Sequence, residues 1–188
     1  MWWPENTFKL KRLTAICGAL ALAGLAGGCF QPLYGDRSPL GGPGVAGALS
    51  SVQVEEIDAP NGTPAARIGL EVRNALIFDL TGGNAPGTPT HLLKIYLVPT
   101  RTQIIVDTTT GRPDAENVGI DATYTLTDIA TKKIVVKGRT FSRVSYDVPG
   151  QQQRFARARG YRDAEDRAAK VIADDIHARL ASHFLAGT

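Results

Sequence analysis

Cysteine, histidine and long apolar runs are all scarce in this 188-residue chain, and each scarcity removes a class of function. The two cysteines, Cys17 and Cys29, both stand in the first 29 residues. The rest of the chain can therefore build neither a disulfide framework nor a thiolate metal site. Of the three histidines, His91, His177 and His183, the last two are six apart on one helical pattern. A spacing of three or four is what sets two ligands on one helix face, so no metal site is expected. No Gly-x-Ser-x-Gly turn frames a serine nucleophile. Gly41-Gly42 and Gly82-Gly83 lack the strand, lysine and helix of a phosphate loop. Asp163, Glu165, Asp166, Asp174 and Asp175 interleave with Arg167, Lys170 and Arg179, the pattern of a solvated helix face. No catalytic constellation survives, and the chain reads as a non-enzyme.

The one long apolar run is Leu13 to Ala26. Lys9, Lys11 and Arg12 precede it, and Gly27-Gly28 lead from it into Cys29. Basic, apolar and small-residue regions in that order make an export signal over residues 1–28. Its 14 residues, broken by Gly18 and Gly24, fall short of the ~20 that span a bilayer core. A cysteine directly after the small residues is the acceptor of a lipoprotein signal. Cys29 is thus expected to carry an S-diacylglycerol and, after cleavage, an N-acyl chain, with no other cofactor. Without residues 1–28 the chain keeps 18 Lys and Arg against 17 Asp and Glu, a net charge of +1. That charge gives nucleic-acid binding no support.

Residues 29–48, rich in Gly and Pro, read as the lipidated cysteine and a flexible tether, and 49–188 as one α+β domain. Leu49 to Ile57 has the partial alternation of a first strand. Thr63-Pro64 pairs an N-cap residue with a proline at the first helical position. Ile68, Val72, Leu76 and Leu80 then recur every four residues, and Gly82-Gly83 stops that helix. Alternation resumes from His91 to Val98; Pro99 is expected to interrupt this strand, and Ile104 to Val106 to continue it past a bulge. Thr108 to Asn117 reads as a polar turn. Ile120, Ala122, Tyr124 and Leu126 alternate cleanly with polar residues in a third strand, and a hairpin over Asp128 to Lys133 leads to a fourth, Ile134 to Tyr146. The last segment, Gln151 to Ala186, is a long helix with Ala164, Ala168, Ile172, Ile176, Leu180 and Phe184 along one side, weakened at Gly160, a candidate break. Asp163/Arg167, Asp166/Lys170 and Asp175/Arg179 are spaced as i,i+4 pairs on its polar side. The order β-α-β-β-β-α predicts a two-layer α+β sandwich: a mostly antiparallel four-stranded sheet with two helices on one face.

One surface stands out. In the fourth strand Ile134, Val136, Val144 and Tyr146 share a parity and are expected to face the core. Lys137, Arg139, Phe141 and Arg143 occupy the other, with Lys132 and Lys133 in the hairpin before them. Period-two geometry puts these cations on the sheet face away from the helices. Arg112 at a hairpin tip, and Arg154, Arg157 and Arg159 at the start of the last helix, are further basic candidates.

Cys29-Phe-Gln-Pro-Leu-Tyr-Gly resembles the mature start of the alphaproteobacterial LPS-assembly lipoprotein family LptE. So do the strand GIDATYTLTD (Gly119 to Asp128), Ser145-Tyr-Asp147 and the helix DAEDRAAKVIADDIHARL (Asp163 to Leu180). The resemblance implies a lipid-anchored protein on the periplasmic face of the outer membrane. It implies partnership with the β-barrel LptD, whose lumen such proteins plug and whose folding they assist. It further implies delivery of lipopolysaccharide to the outer leaflet, and binding of it. On that footing Lys132, Lys133, Lys137, Arg139, Arg143 and Arg112 become candidates for lipid phosphates, which arginine takes bidentately, or for an acidic lining of the barrel. The competing reading is a lipid-anchored auxiliary lipoprotein of another envelope transport system.

Overall fold

The computed structural model describes residues 44–106, 109, 111, 113–148 and 153–186. Its elements are α1 (Val45–Ser50), β1 (Val52–Val54), α2 (Pro64–Thr81), β2 (His91–Val106), β3 (Pro113–Asp128), β4 (Ile134–Asp147) and α3 (Arg154–Ala186). The four strands lie in chain order. β1 runs parallel to β2, with Val52 opposite His91 and Val54 opposite Leu93, because α2 crosses over between them. β2, β3 and β4 form an antiparallel meander.

The α2 boundaries follow local chemistry. The Thr63 hydroxyl accepts from the Ala66 amide at 3.3 Å, Pro64 opens the helix, and Gly82 closes it in the left-handed region at φ 61°. Ile68, Val72, Leu76 and Leu80 are buried, facing Leu93 and Ile95 of β2, Ile120, Ala122, Tyr124 and Leu126 of β3, and Ile172, Ile176 and Leu180 of α3 in one core. Ala168, Ala169, Ala173 and Ala181 are buried too, so α3 approaches the layer beneath it over small side chains. Gly138 is required where it stands: a Cβ there would overlap the Tyr124 ring, which lies across β4.

Several expectations are corrected. Val45–Ser50 is helical, where a tether and the start of a strand are expected, because Val45 and Leu49 of α1 pack into the core; the first strand is only Val52–Val54. Pro99 does not interrupt β2. β1 has ended opposite Leu93, so Pro99 sits where one side of β2 is already an edge and a missing N–H is tolerated. The Thr108–Asn117 turn is shorter than expected, since β3 starts at Pro113 and Ala115 to Asn117 pair with Asp147 to Ser145. Ile134 is exposed, not in the core, because a register shift between Leu126 and Thr127 moves it out of step with Val136. Gly160 does not break α3; it packs against the Tyr146 ring inside the helix. Only one expected i,i+4 pair forms, Arg167 to Asp163 at 2.8 Å. Lys170 turns instead to Asp174 at 3.6 Å, and Asp175 accepts from the Thr140 hydroxyl at 2.6 Å, tying α3 to β4.

Candidate functional site

Along β4 the even positions turn inward and the odd ones outward from Val136 on. Lys137, Arg139, Phe141 and Arg143 therefore share the face opposite the helices, as their parity predicts. The ladder sets Lys137 beside Thr125, Arg139 beside Thr123, Phe141 beside Asp121 and Arg143 beside Gly119. Asp121, on the central strand, is the anchor of this surface. One carboxylate oxygen accepts from Arg139 at 3.3 Å and the other from Arg143 at 2.9 Å. The Arg143 guanidinium also lies 5.5 Å from the Phe141 ring centroid. Lys94 of β2 stands on the same row, across Thr125 from Lys137, and Tyr96 and Val98 add exposed apolar surface. The face is thus cationic and partly aromatic, with one carboxylate organising two of its arginines.

The structure places Lys132 and Lys133 apart from that strip, in the hairpin before β4. There Asp128 accepts from the Thr131 amide at 2.7 Å and its hydroxyl at 3.0 Å. Lys132 takes a left-handed φ of 58°, a conformation that costs a side-chain-bearing residue energy. Cys29 and Arg112 lie outside the described residues. His91 and His183 flank the Phe184 ring, at 5.2 and 5.4 Å between centroids. Among the described residues no three metal-ligating side chains converge. No helix among them is long and apolar enough to cross a membrane.

A second cationic site takes in Arg157, a basic candidate from the sequence; its other cation, Arg101, and the carboxylate that holds both were not expected. Glu116 of β3 is only 2 % exposed. It accepts from Arg101 Nε of β2 at 2.6 Å, from Arg157 Nη2 of α3 at 3.1 Å, and from the Tyr146 hydroxyl of β4. Arg101 also donates to the Tyr146 oxygen at 2.9 Å and lies 4.6 Å from the Tyr161 ring centroid. Burial alone would raise the Glu116 pKa, but the Tyr146 hydroxyl and Arg101 outweigh it and the carboxyl is held below its usual range. Burial, then the bond to Glu116, pushes Tyr146 up to about 12. Arg101 and Arg157 are each nearly half exposed and border a shallow cleft of about 550 Å³ with Thr102 and Gln103. One buried carboxylate thus fixes two guanidiniums whose other edges face solvent, a preorganised arrangement for an oxyanion.

Glu165 corrects another expectation. It is buried, not on the solvated face of α3, and Arg67 of α2 donates to it from Nε at 3.1 Å and Nη2 at 2.5 Å. Burial, then the neighbouring Glu165 carboxylate, pushes the Tyr161 phenol up. This pair clamps the two helices together.

A family model described as lipopolysaccharide-assembly LptE matches residues 49–180. In three dimensions the chain is similar to a candidate lipoprotein from Caulobacter crescentus CB15, with 25 % identity, a TM-score of 0.58, and coverage of 76 % of this chain and 96 % of that one. It shares its fold with a minor lipoprotein from Acinetobacter baumannii at 12 % identity and a TM-score of 0.52, covering 71 % of this chain and 92 % of that one. No curated protein matches the sequence.

Proposed function

Because the chain belongs to the LptE lipopolysaccharide-assembly family, we propose that it is a non-catalytic outer-membrane lipoprotein, anchored through Cys29. In this reading it complexes with the β-barrel LptD as plug and assembly factor and helps deliver lipopolysaccharide to the outer leaflet. The observation that carries the reading is the family match, which spans the folded domain almost end to end. Two cationic surfaces support it by their chemistry: the strip of Lys137, Arg139 and Arg143, and the Arg101–Arg157 cleft. Both offer guanidiniums to phosphates or to carboxylates of a barrel lining. The test is purification of the mature protein from its own envelope. A stable complex with one large β-barrel supports the proposal, and association with a different envelope transporter instead replaces it.

Cys29→Ala is expected to leave an unprocessed precursor without the mass of acyl chains, read by intact-protein mass spectrometry. Mature, lipid-bearing protein from that variant would remove the anchor assignment. Lys137→Glu with Arg139→Glu is expected to weaken lipopolysaccharide binding in vitro about tenfold at low salt, the scale of two exposed ionic contacts. The difference should shrink as ionic strength rises and screens them. Thermal unfolding should be nearly unchanged, since both side chains are exposed. If lipopolysaccharide binding survives but the barrel no longer co-purifies, the strip is a docking surface; if both survive, it is an ordinary solvated face.

A further inference from the structure

The sheet has edges of unlike character. β1 offers three residues. Beyond Leu93 the flank of β2 is open, but it carries Pro99 and register shifts between Gln103 and Val106. Short length, proline and irregularity are the usual devices that stop an edge from recruiting another strand. β4 has none of them over most of its length. From Val136 to Asp147 it stays in unbroken register with β3 and contains no proline. As the last strand of the sheet it has no strand neighbour on its far side among the described residues. Among the described residues, the backbone groups of that side form no backbone hydrogen bond.

What guards this edge is charge. Lys137, Arg139 and Arg143 line one face, with Phe141 among them 65 % exposed. Asp121 offsets one of the three positive charges. Two copies pairing antiparallel about Thr140 would set Lys137 of each against Arg143 of the other, and like charges directly opposite are destabilising. The same cations favour a strand with carboxylates at alternate positions. We propose that β4 is an acceptor edge for β-augmentation: an extended acidic segment of a partner polypeptide adds a fifth strand along Val136–Asp147. The backbone ladder supplies affinity, and Lys137, Arg139 and Arg143 select the sign of the incoming side chains. This interaction stands whether or not the strip also meets lipopolysaccharide.

The probe is a capped peptide of roughly nine residues alternating threonine and glutamate, the length one such edge can pair. It is added to the purified mature protein and followed by amide hydrogen exchange and titration calorimetry. Expected are slowed exchange in β4 but not β1, and at least about tenfold weaker binding of the threonine–lysine counterpart. Lys137→Glu with Arg139→Glu should reverse that preference. N-methylating either all the threonines or all the glutamates should abolish binding in one case only, because alternate amides of a strand face opposite sides. Equal binding by both N-methylated peptides would mean that side chains alone make the contact and would overturn the proposal. So would a peptide preference that ignores the charge reversal, or a free protein that is already dimeric with β4 protected.

Discussion

Ile176→Ala is expected to lower the unfolding free energy by about 2–5 kcal/mol, the cost of truncating a large buried aliphatic side chain. Ile176 is fully buried at the middle of α3, one turn from Ile172 and one from Leu180. Its surroundings explain why the loss should fall well inside that range. Ala168, Ala169 and Ala173 on the same helix have no length to swing into the void, and Leu76, Leu93 and Leu126 are each fixed in the same core. The space left behind stays largely empty. Asp163→Ala and Arg167→Ala make the contrast. Their bond is real at 2.8 Å, but both side chains are more than half exposed, so each change should cost well under ~1 kcal/mol. Urea unfolding read by far-ultraviolet circular dichroism separates the two sets. Equal costs would mean that α3 is not packed on the sheet through this side.

The second large effect belongs to Glu116. Glu116→Gln at neutral pH is expected to cost toward the low end of the ~3–5 kcal/mol typical of breaking a buried ionic cluster. The low end applies because Arg101 and Arg157 are nearly half exposed and can turn to water once released. The cost also has a pH dependence whose direction follows from the depressed carboxyl pKa. A carboxyl more acidic in the folded than in the unfolded chain stabilises fully above its unfolded value, near ~4.3. That contribution is lost as pH falls through the lower folded value. The wild type and Glu116→Gln should therefore differ most near neutrality and converge in acid. Urea midpoints at neutral pH and near pH ~3 test this. A gap that stays constant would show that the carboxylate's charge is not what the two arginines hold.

Much of this architecture is written locally. Thr63-Pro64 and Gly82 bound α2 by capping chemistry that needs no tertiary context. The alternation from Gly119 to Asp128 could sit only as a half-buried strand, and the β4 parity correctly separates its cations from Val144 and Tyr146. What was illegible depends on distant partners. α1 is six residues long, too short to be a helix alone, and exists because Val45 and Leu49 find α2 and α3. Pro99 reads as a breaker unless one knows that β1 stops after three residues. Glu116 and Glu165 look like surface carboxylates because their arginines are 15 and 98 positions away. A signal for both was present. Extending the β3 alternation back two steps puts Glu116 in line with Val118 and Ile120, and the helical repeat puts Glu165 in line with Ala168, Ala169 and Ile172. An acidic residue on an apolar stripe is the mark of a buried ion pair.

The β2–β3 hairpin has a mechanical character. Near β1 its inner side is bolted to α2 and α3 through Leu93, Ile95, Tyr124 and Leu126, while from Thr100 to Ile104 every residue of β2 is exposed. It is anchored at its root and exposed along the Thr100–Ile104 arm. Glu116 sits where root gives way to arm, fastening β3 to β2, β4 and α3 at once. Amide exchange in β2 is therefore expected to be slower on the Leu93 side of that fastening than at Thr102 and Gln103 beyond it. The position of one buried carboxylate thus sets where the anchored part of the hairpin ends.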